Sequence, residues 1–416
     1  MEIQNNEEKV TRALLVSVDT GEYDALSSLE ELFELTESAG AEPVASITQK
    51  LERPETATYV GSGKLEEIKE YCDIHEIDLL IFDCELSPTQ IRNIEEATDV
   101  RVIDRTMLIL DVFALRARSK EGKLQVELAQ LKYMLPRLTG KGVQMSRLGG
   151  GIGTRGPGET KLETDRRHIR RKIETLKEQL KEVEEHRERL RKRREKDNVI
   201  TVAIVGYTNA GKSTLMNYLT QAGVLAEDKL FATLDPTSRA LKLPSGITVM
   251  LIDTVGFVRR LPHHLVEAFK STLEEAANAD IILNVCDVSN EEAKLHLEVT
   301  EDLLASLGCK DRPVIPVLNK CDLLSAENDI ASIGNSVRIS AKTGKGIDKL
   351  LQAIEDNLPV RMKRVKLLLP FSMAGISAEI RKSGTLISEE YTAEGIEVEA
   401  VVDEILYGRI RDYITE

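Results

Sequence analysis

An apolar run at 199–205 leads directly into the loop Gly206-Tyr-Thr-Asn-Ala-Gly211-Lys212-Ser213, which opens a predicted helix. The glycines let backbone N–H groups turn inward, so that they can cradle phosphate oxygens at the N-terminus of that helix. A strand, this loop and a helix, in that order, are the context that the G-x-x-x-x-G-K-[ST] motif requires. The pattern therefore predicts a parallel α/β domain with a phosphate-binding loop.

Three more motifs follow this loop, each at the carboxyl end of a predicted strand. They are Asp253-Thr254-Val255-Gly256, Asn319-Lys320-Cys321-Asp322 and Ser340-Ala341-Lys342. Asp322 can accept hydrogen bonds from the N1–H and the 2-amino group of guanine, which adenine cannot offer. The four motifs together predict a guanine-specific P-loop NTPase.

The motifs assign roles within this site. Lys212 is predicted to reach the β- and γ-phosphates, Ser213 to bind Mg²⁺ directly, and Asp253 to lie near the magnesium shell. The segment 231–237 is a predicted switch, in which a Thr hydroxyl completes that shell only when a γ-phosphate is present. Thr233 and Thr237 both qualify on chemistry. The predicted GTP-binding residues are Gly206, Tyr207, Thr208, Asn209, Ala210, Gly211, Lys212, Ser213, Thr214, Phe231, Ala232, Thr233, Leu234, Asp235, Asp253, Thr254, Val255, Gly256, Asn319, Lys320, Cys321, Asp322, Ser340, Ala341 and Lys342.

The formal charge of −14 conceals a basic block in the middle of the chain. Residues 1–115 carry a net charge of −17, residues 116–194 of +12 and residues 195–416 of −9. A basic block between two acidic segments predicts a localised contact with a polyanion. A solvated, charged helix face is the alternative, and charge alone does not decide between them.

The basic block is predicted to form an antiparallel helical hairpin. Helical spacing continues to about residue 138, the stretch 140–158 is rich in glycine, and a second helix covers 160–197. The glycine-rich stretch is predicted to be a flexible tip, with a disordered linker as the alternative. The second helix has heptad spacing, which predicts packing against the first. Its seam residues are Leu162, Ile169, Ile173, Leu176, Leu180, Val183 and Leu190.

Four domains are predicted along the chain. Alternating strands and helices predict a small parallel α/β domain over 1–115, followed by the hairpin over 116–197. The P-loop domain covers 198–360, and a small α+β unit with the order βαββ and a terminal helix covers 361–416. Predicted strands lie near 13–18, 44–48, 78–83, 100–103, 199–205, 247–252, 281–286, 314–318 and 337–339.

The sequences GYTNAGKST, FATLDPT, DTVGF and NKCD follow the stretch SRLGGGIGTRGPGETKLETDRR, and the combination resembles the HflX family of bacterial GTPases along nearly the whole chain. The resemblance favours Thr233 over Thr237 as the switch threonine. It implies GTP-regulated binding to the large ribosomal subunit and splitting of stalled or idle 70S ribosomes, often under heat stress. It also implies that the hairpin tip lies near the peptidyl-transferase centre.

A basic hairpin with a flexible tip fits a cavity in ribosomal RNA, where backbone charge and shape dominate recognition. The cluster 187–194 is equally compatible with a solvated helix face. The predicted phosphate contacts are Arg147, Arg155, Lys161, Arg166, Arg167, Arg170 and Arg171.

Hydrolysis is predicted to be slow without a partner, because Phe257 follows the D-x-x-G motif where many small GTPases have a water-orienting Gln. The predicted catalytic groups are Lys212, Thr233, Gly256 and Asn209. Asn209 resembles the position that coordinates K⁺ in some related GTPases; the alternative is that it only shapes the loop. An RNA-binding scaffold with a GTP switch of negligible turnover is the competing function.

Composition restricts the location and the chemistry. The first ten residues lack the basic start and apolar stretch of a signal peptide, and no apolar run reaches the roughly eighteen residues of a membrane helix. The cysteines are scattered without a C-x-x-C pair, which predicts reduced thiols and argues against a cysteine metal site. The sequence thus predicts a cytoplasmic chain without stable membrane insertion, partly associated with ribosomes or membranes. A monomer is expected, since the hairpin can pair with itself.

Overall fold

The chain divides into two compact units. The first comprises the described residues up to Val183 together with those between 259 and 269. The second comprises the described residues from 184 to 220, from 237 to 258 and from 276 onward. The structure is a computed structural model that describes residues 10–138, 161–196, 199–220, 237–254, 256–260, 262, 265, 276–290, 292–309, 312–324, 336–359, 362–383 and 385–415. No helix among these residues is long and apolar enough to cross a membrane.

A four-stranded parallel sheet with the order β2-β1-β3-β4 forms the core of the first unit, which confirms the predicted small α/β domain. The two inner strands are fully buried along most of their length, so they read as continuous apolar runs. The strands are β1 (Arg12–Asp19), β2 (Glu42–Lys50), β3 (Leu79–Phe82) and β4 (Arg101–Asp104). The helices are α1 (Ala25–Ser38), α2 (Ser62–His75), α3 (Pro88–Thr98) and α4 (Arg105–Arg116).

Two helices, and not one, follow β4. The helix α4 ends at Arg116, because Ala117 is extended, with φ −63° and ψ 112°. The next helix, α5 (Lys120–Met134), begins where the Ser119 hydroxyl accepts a hydrogen bond from the backbone N–H of Gly122. The helical spacing that continues to about residue 138 therefore belongs to two helices, and Ser119 is the N-cap of the second.

The helix α5 packs against the long helix α6 (Lys161–Lys196) through the predicted seam. The contact covers only part of the length of α6. The helix α5 has 15 residues and α6 has 36, so α6 extends beyond its partner. Farther along α6, Val183 is half-buried and Leu190 is 46% exposed, so the heptad spacing continues there without burial. The buried residues of this cluster are Leu124, Leu128, Ile169, Ile173, Leu176 and Leu180.

The second unit contains a six-stranded sheet with the order β10-β9-β8-β5-β7-β6. All neighbouring pairs are parallel except β6 and β7, and β6 was not among the predicted strands. Four of the six residues of β6 are exposed, so this edge strand lacks an apolar run. The strands are β5 (Thr201–Gly206), β6 (Thr237–Lys242), β7 (Thr248–Asp253), β8 (Ile281–Asp287), β9 (Val314–Asn319) and β10 (Val337–Arg338). The helices are α7 (Lys212–Thr220), α8 (Ala293–Ser306) and α9 (Ile347–Asp356).

A small antiparallel sheet completes the second unit and confirms the predicted order of strand, helix, two strands and helix. Val401 and Ile387 of this sheet also pack with the core of the six-stranded sheet. The strands, in the order β11-β13-β12, are β11 (Met362–Leu369), β12 (Thr385–Tyr391) and β13 (Ile396–Asp403). The helices are α10 (Ala374–Ser383) and α11 (Glu404–Ile410).

Candidate nucleotide site

The loop between β5 and α7 depends on glycine at both of its ends. Gly206 has φ +145°, and a Cβ atom there would lie 2.0 Å from the carbonyl oxygen of Val285. Gly211 has φ +87°, and a Cβ atom there would lie 2.3 Å from the side-chain nitrogen of Asn319. Both positions therefore exclude any side chain, which explains the glycine spacing of the motif.

Lys212 is the first residue of α7 and is buried beneath this loop. Its Nζ donates hydrogen bonds to the carbonyl oxygens of Gly206 at 3.1 Å and Tyr207 at 2.7 Å. Desolvation lowers the pKa of Lys212 from 10.5 to about 8, although the nearby Asp253 carboxylate opposes the shift. A bound polyphosphate would supply the negative charge that this buried ammonium requires.

Two of the predicted magnesium ligands lie close together, Ser213 in the first turn of α7 and Asp253 at the end of β7. The Ser213 hydroxyl donates a hydrogen bond to Oδ2 of Asp253 at 3.2 Å. The neighbouring Thr254 is fixed by a hydrogen bond from its hydroxyl to the carbonyl oxygen of Ile204 at 2.8 Å. A hydroxyl and a carboxylate are hard oxygen donors, so these residues fit Mg²⁺, which otherwise keeps water and phosphate oxygens as ligands.

The predicted switch is only partly within the described residues. Thr237 is the first residue of β6 and lies opposite Asp253 in the antiparallel register. The other predicted residues here, Phe231, Ala232, Thr233, Leu234, Asp235 and Val255, lie outside the described residues.

The motifs after β9 and β10 meet at the phosphate-binding loop. The Asn319 side chain donates to the carbonyl oxygen of Ala210 at 2.8 Å and accepts from the backbone N–H of Ala341 at 2.9 Å. A hydrogen bond with Ser340 holds the pKa of Asp322 below its usual range. Asp322 therefore stays ionised at neutral pH, as an acceptor for guanine N1–H and the 2-amino group must be.

Phe257 contacts the loop through its backbone, which the sequence analysis missed. The N–H of Thr208 donates to the Phe257 carbonyl oxygen at 2.8 Å, and the Phe257 N–H donates to the Gly206 carbonyl oxygen at 3.1 Å. The side chain of Phe257 is only 2% exposed, so it is a core residue and cannot orient a water molecule. Backbone pairing carries no residue-type signal, so the sequence could not have revealed it.

Two arginines shortly after Phe257 belong to the first unit and form ion pairs there. Arg260 contacts Oδ2 of Asp83 at 2.6 Å, and the backbone N–H of Arg259 donates to Oε1 of Glu31 at 3.2 Å. Arg105 contacts both carboxylates, Asp83 at 2.8 Å and Glu31 at 2.9 Å. Arg259 and Arg260 are thus held by a buried charge cluster that the sequence analysis also missed.

Asn209 is exposed in the loop and has a left-handed backbone with φ +59°. Asn adopts this conformation more readily than most residues do. Its shaping of the loop and its predicted coordination of K⁺ are both compatible with this position.

The predicted RNA contacts differ in exposure. Arg167, Arg170 and Arg171 are exposed on α6, whereas Arg166 donates to the carbonyl oxygen of Leu138 at 2.8 Å. Arg166 therefore ties α6 to the end of the first hairpin arm. Lys161 is the first residue of α6, and Arg147 and Arg155 lie outside the described residues.

Three sequence families match consecutive parts of the chain. The families described as GTP-binding GTPase N-terminal and GTP-binding GTPase Middle Region match residues 26–114 and 116–194. The family described as 50S ribosome-binding GTPase matches residues 201–320. The middle match coincides with the basic block.

Individual proteins match over nearly the full length. GTPase HflX of Caldanaerobacter subterraneus subsp. tengcongensis is 52% identical over 97% of this chain and 94% of its own length. GTPase HflX of Escherichia coli is 42% identical over 93% of this chain and 90% of its own length. Among solved structures, a GTP-binding protein from the hyperthermophilic archaeon Sulfolobus solfataricus in complex with GDP is 26% identical. It covers 84% of this chain and 98% of its own, with a TM-score of 0.45.

Proposed function

The chain belongs to the HflX family of GTPases, and from that premise we propose that it binds the large (50S) ribosomal subunit and splits stalled or idle 70S ribosomes under stress such as heat shock. The observation that carries the proposal is the presence of a guanine-nucleotide site and a basic helical hairpin in one chain. The nucleotide site supplies the switch, and the hairpin supplies the contact with ribosomal RNA.

The nucleotide site binds GTP through charge and backbone geometry. The positive charge of Lys212 compensates the negative charge of the β- and γ-phosphates, and the N–H groups of the loop bind the phosphate oxygens. Ser213 would hold Mg²⁺ directly and Asp253 would hold it indirectly, and Thr233 would complete the shell in the GTP state. The magnesium ion, when bound, neutralises charge that develops on the phosphates. The backbone N–H of Gly256 binds the γ-phosphate, so loss of this phosphate releases both the switch 231–237 and the segment that follows the D-x-x-G motif.

The hairpin binds RNA through exposed arginines. Arg167, Arg170 and Arg171 lie on one solvent-exposed stretch of α6, within the segment of net charge +12. One guanidinium group can bind two phosphate oxygens at once, so this surface suits the RNA backbone. Such binding does not require a particular base sequence. Lys161 at the start of α6, together with Arg147 and Arg155 of the glycine-rich stretch 140–158, supplies the further phosphate contacts that we propose.

Hydrolysis is slow until the ribosome is bound. Phe257 is buried and leaves no side chain after the D-x-x-G motif to orient the attacking water. The large subunit therefore supplies the missing group or orders the switch, and Asn209 would hold a K⁺ ion whose chemistry is to add positive charge near the phosphates.

The decisive experiment measures GTP turnover in potassium buffer with and without purified large subunits. We expect strong stimulation by the subunits and a weaker effect when Na⁺ replaces K⁺. Lys212→Ala, which removes the phosphate-binding ammonium, is the control without tight GTP binding. Sedimentation of 70S ribosomes after incubation with the protein and GTP then tests splitting, which must yield free subunits.

The competing function is an RNA-binding scaffold whose GTP site has negligible turnover. The burial of Phe257 favours it, because among the described residues the side chain directly after Gly256 cannot orient a water molecule. Turnover that stays at background with large subunits present, despite measured GTP binding, would support the scaffold and contradict the proposed ribosome-triggered GTPase.

A further inference from the structure

An ion pair joins the ends of two neighbouring strands at the segment Asn319-Lys320-Cys321-Asp322, which we call the guanine motif. Nζ of Lys320 lies 2.7 Å from Oδ2 of Asp287, and both side chains are largely shielded, at 26% and 19% exposure. Asp287 is the last residue of β8 and lies opposite Asn319, the last residue of β9. A close pair with this little exposure is less screened by solvent than a surface pair.

The position of β8 in the sheet determines on which side of β9 the Lys320 ammonium lies. The strand β8 lies between β9 and β5, and β5 leads into the phosphate-binding loop. Asp287 therefore holds the Lys320 ammonium on the side of β9 that faces the phosphate-binding loop. A lysine without this partner would be free to point into solvent or away from the loop.

The carboxylate of Asp287 is itself held in place. Its Oδ1 accepts hydrogen bonds from the backbone N–H of Ser289 at 2.9 Å and from the Ser289 hydroxyl at 2.6 Å. The two oxygens thus have separate partners, since Oδ1 binds the following turn and Oδ2 binds Lys320. This division fixes the carboxylate rotamer and leaves one oxygen for the lysine.

The backbone of Lys320 has an uncommon conformation, and this residue lies between two residues of the motif that make or are predicted to make specific contacts. Its φ of +64° lies in the left-handed region, which residues other than Gly, Asn and Asp rarely adopt. It directly follows Asn319, which binds Ala210 and Ala341, and it precedes Asp322 by two residues. The ion pair therefore fixes the side chain of a residue that belongs to the guanine motif, Lys320.

We propose that Asp287 is a positioning residue of the guanine site, which preorganises Lys320 for contact with the base. The inference rests on the proposed guanine site. An unrestrained lysine side chain loses rotamer freedom when a ligand orders it, and a pre-formed ion pair removes most of that cost. Since GTP and GDP share the base, Asp287 strengthens the binding of both to the same degree.

The test is the dissociation rate of labelled GDP and of a labelled, non-hydrolysable GTP analogue from the full chain. We expect Asp287→Asn to speed both dissociations by about tenfold, the effect of losing one charge-assisted hydrogen bond. In turnover assays, the change should fall on KM and not on kcat. Asp302→Asn, which removes an exposed carboxylate on α8, is the matched control and should leave both rates as in the wild type.

A double-mutant cycle with Lys320→Ala separates positioning from a merely structural role. If Asp287 acts through Lys320, adding Asp287→Asn to Lys320→Ala changes the dissociation rates no further. Additive effects of the two substitutions would overturn the proposal, because Asp287 would then act on the fold and not on the lysine. Equal melting temperatures of the single variants and the wild type would show that each still folds.

Asp322→Asn distinguishes failure of this inference from failure of the proposed guanine site. An Asn amide can donate to the 2-oxo group of xanthine, so this variant should lose guanine nucleotides and gain xanthine nucleotides. An unchanged base preference would contradict the guanine site itself. A switched preference, together with wild-type dissociation from Asp287→Asn, would overturn only the role of Asp287.

Discussion

At the scale of single residues, Lys212 couples nucleotide binding to proton uptake. Desolvation lowers its pKa to about 8, so the amine of the nucleotide-free chain is largely neutral above that pH. Bound phosphates stabilise the ammonium and raise its pKa again. Binding of GTP must therefore take up a proton above pH 8, and affinity should fall with rising pH by up to about tenfold per unit.

This proton uptake is measurable by titration calorimetry in buffers of different ionisation enthalpy. We expect the apparent binding enthalpy to depend on the buffer at about pH 9 and not at about pH 7. Lys212→Arg is the control, because its guanidinium does not deprotonate in this range. Buffer dependence in Lys212→Arg, or none in the wild type, would show that another group takes up the proton.

A second prediction at this scale concerns the contribution of Asp83 to the free energy of unfolding. It is 1% exposed and contacts Arg105 and Arg260, so Asp83→Asn leaves two cations with less compensation. Breaking a buried ion pair of this kind should lower the free energy of unfolding by about 3–5 kcal/mol. Denaturant unfolding measures the change. Glu298→Gln, which removes the exposed partner of Lys294 at 3.7 Å, is the control and should cost less than about 1 kcal/mol.

At the scale of elements, α6 is stabilised by packing over only part of its length. Leu176 is 4% exposed against α5, whereas Leu190 on the same helix is 46% exposed. Leu176→Ala should therefore lower stability by about 2–5 kcal/mol through lost burial and a cavity. Leu190→Ala is the matched control, with an effect within about 0.5 kcal/mol. Equal losses in urea unfolding would mean that the whole helix is buried in solution.

Elements with a continuous apolar run or a motif could be predicted from the sequence. The strand β8 is buried along nearly all its length and ends at a polar residue, so it is evident in the sequence. The edge strand β6 was missed, since its exposed residues resemble a loop. The site residues from 206 to 213 follow from local spacing. Asp287 and Asp83 act through partners distant in sequence, which no local pattern reveals.

At the scale of the whole molecule, the proposed RNA contact of this acidic chain is expected to lie in its basic block, residues 116–194. Arg170 and Arg171 are exposed there, and each phosphate contact should contribute about one unit to the dependence of log affinity on log salt. We expect Arg170→Gln with Arg171→Gln to reduce the slope for large-subunit binding by about two. The control pair is Arg53→Gln with Arg92→Gln, exposed in the segment of net charge −17. An equal effect of both pairs would contradict a localised contact.

The last prediction separates the nucleotide site from the hairpin. The nucleotide motifs begin at Gly206, whereas the glycine-rich stretch 140–158 lies in the basic block and outside the described residues. Replacing 140–158 with a short Gly-Ser connector should therefore leave the affinity for GTP unchanged and abolish stimulation by large subunits. Lys212→Ala should do the reverse, losing tight GTP binding while keeping part of the salt-dependent RNA affinity. If either variant lost both its affinity for GTP and its affinity for the large subunit while its melting temperature stayed at the wild-type value, this division of labour would be wrong.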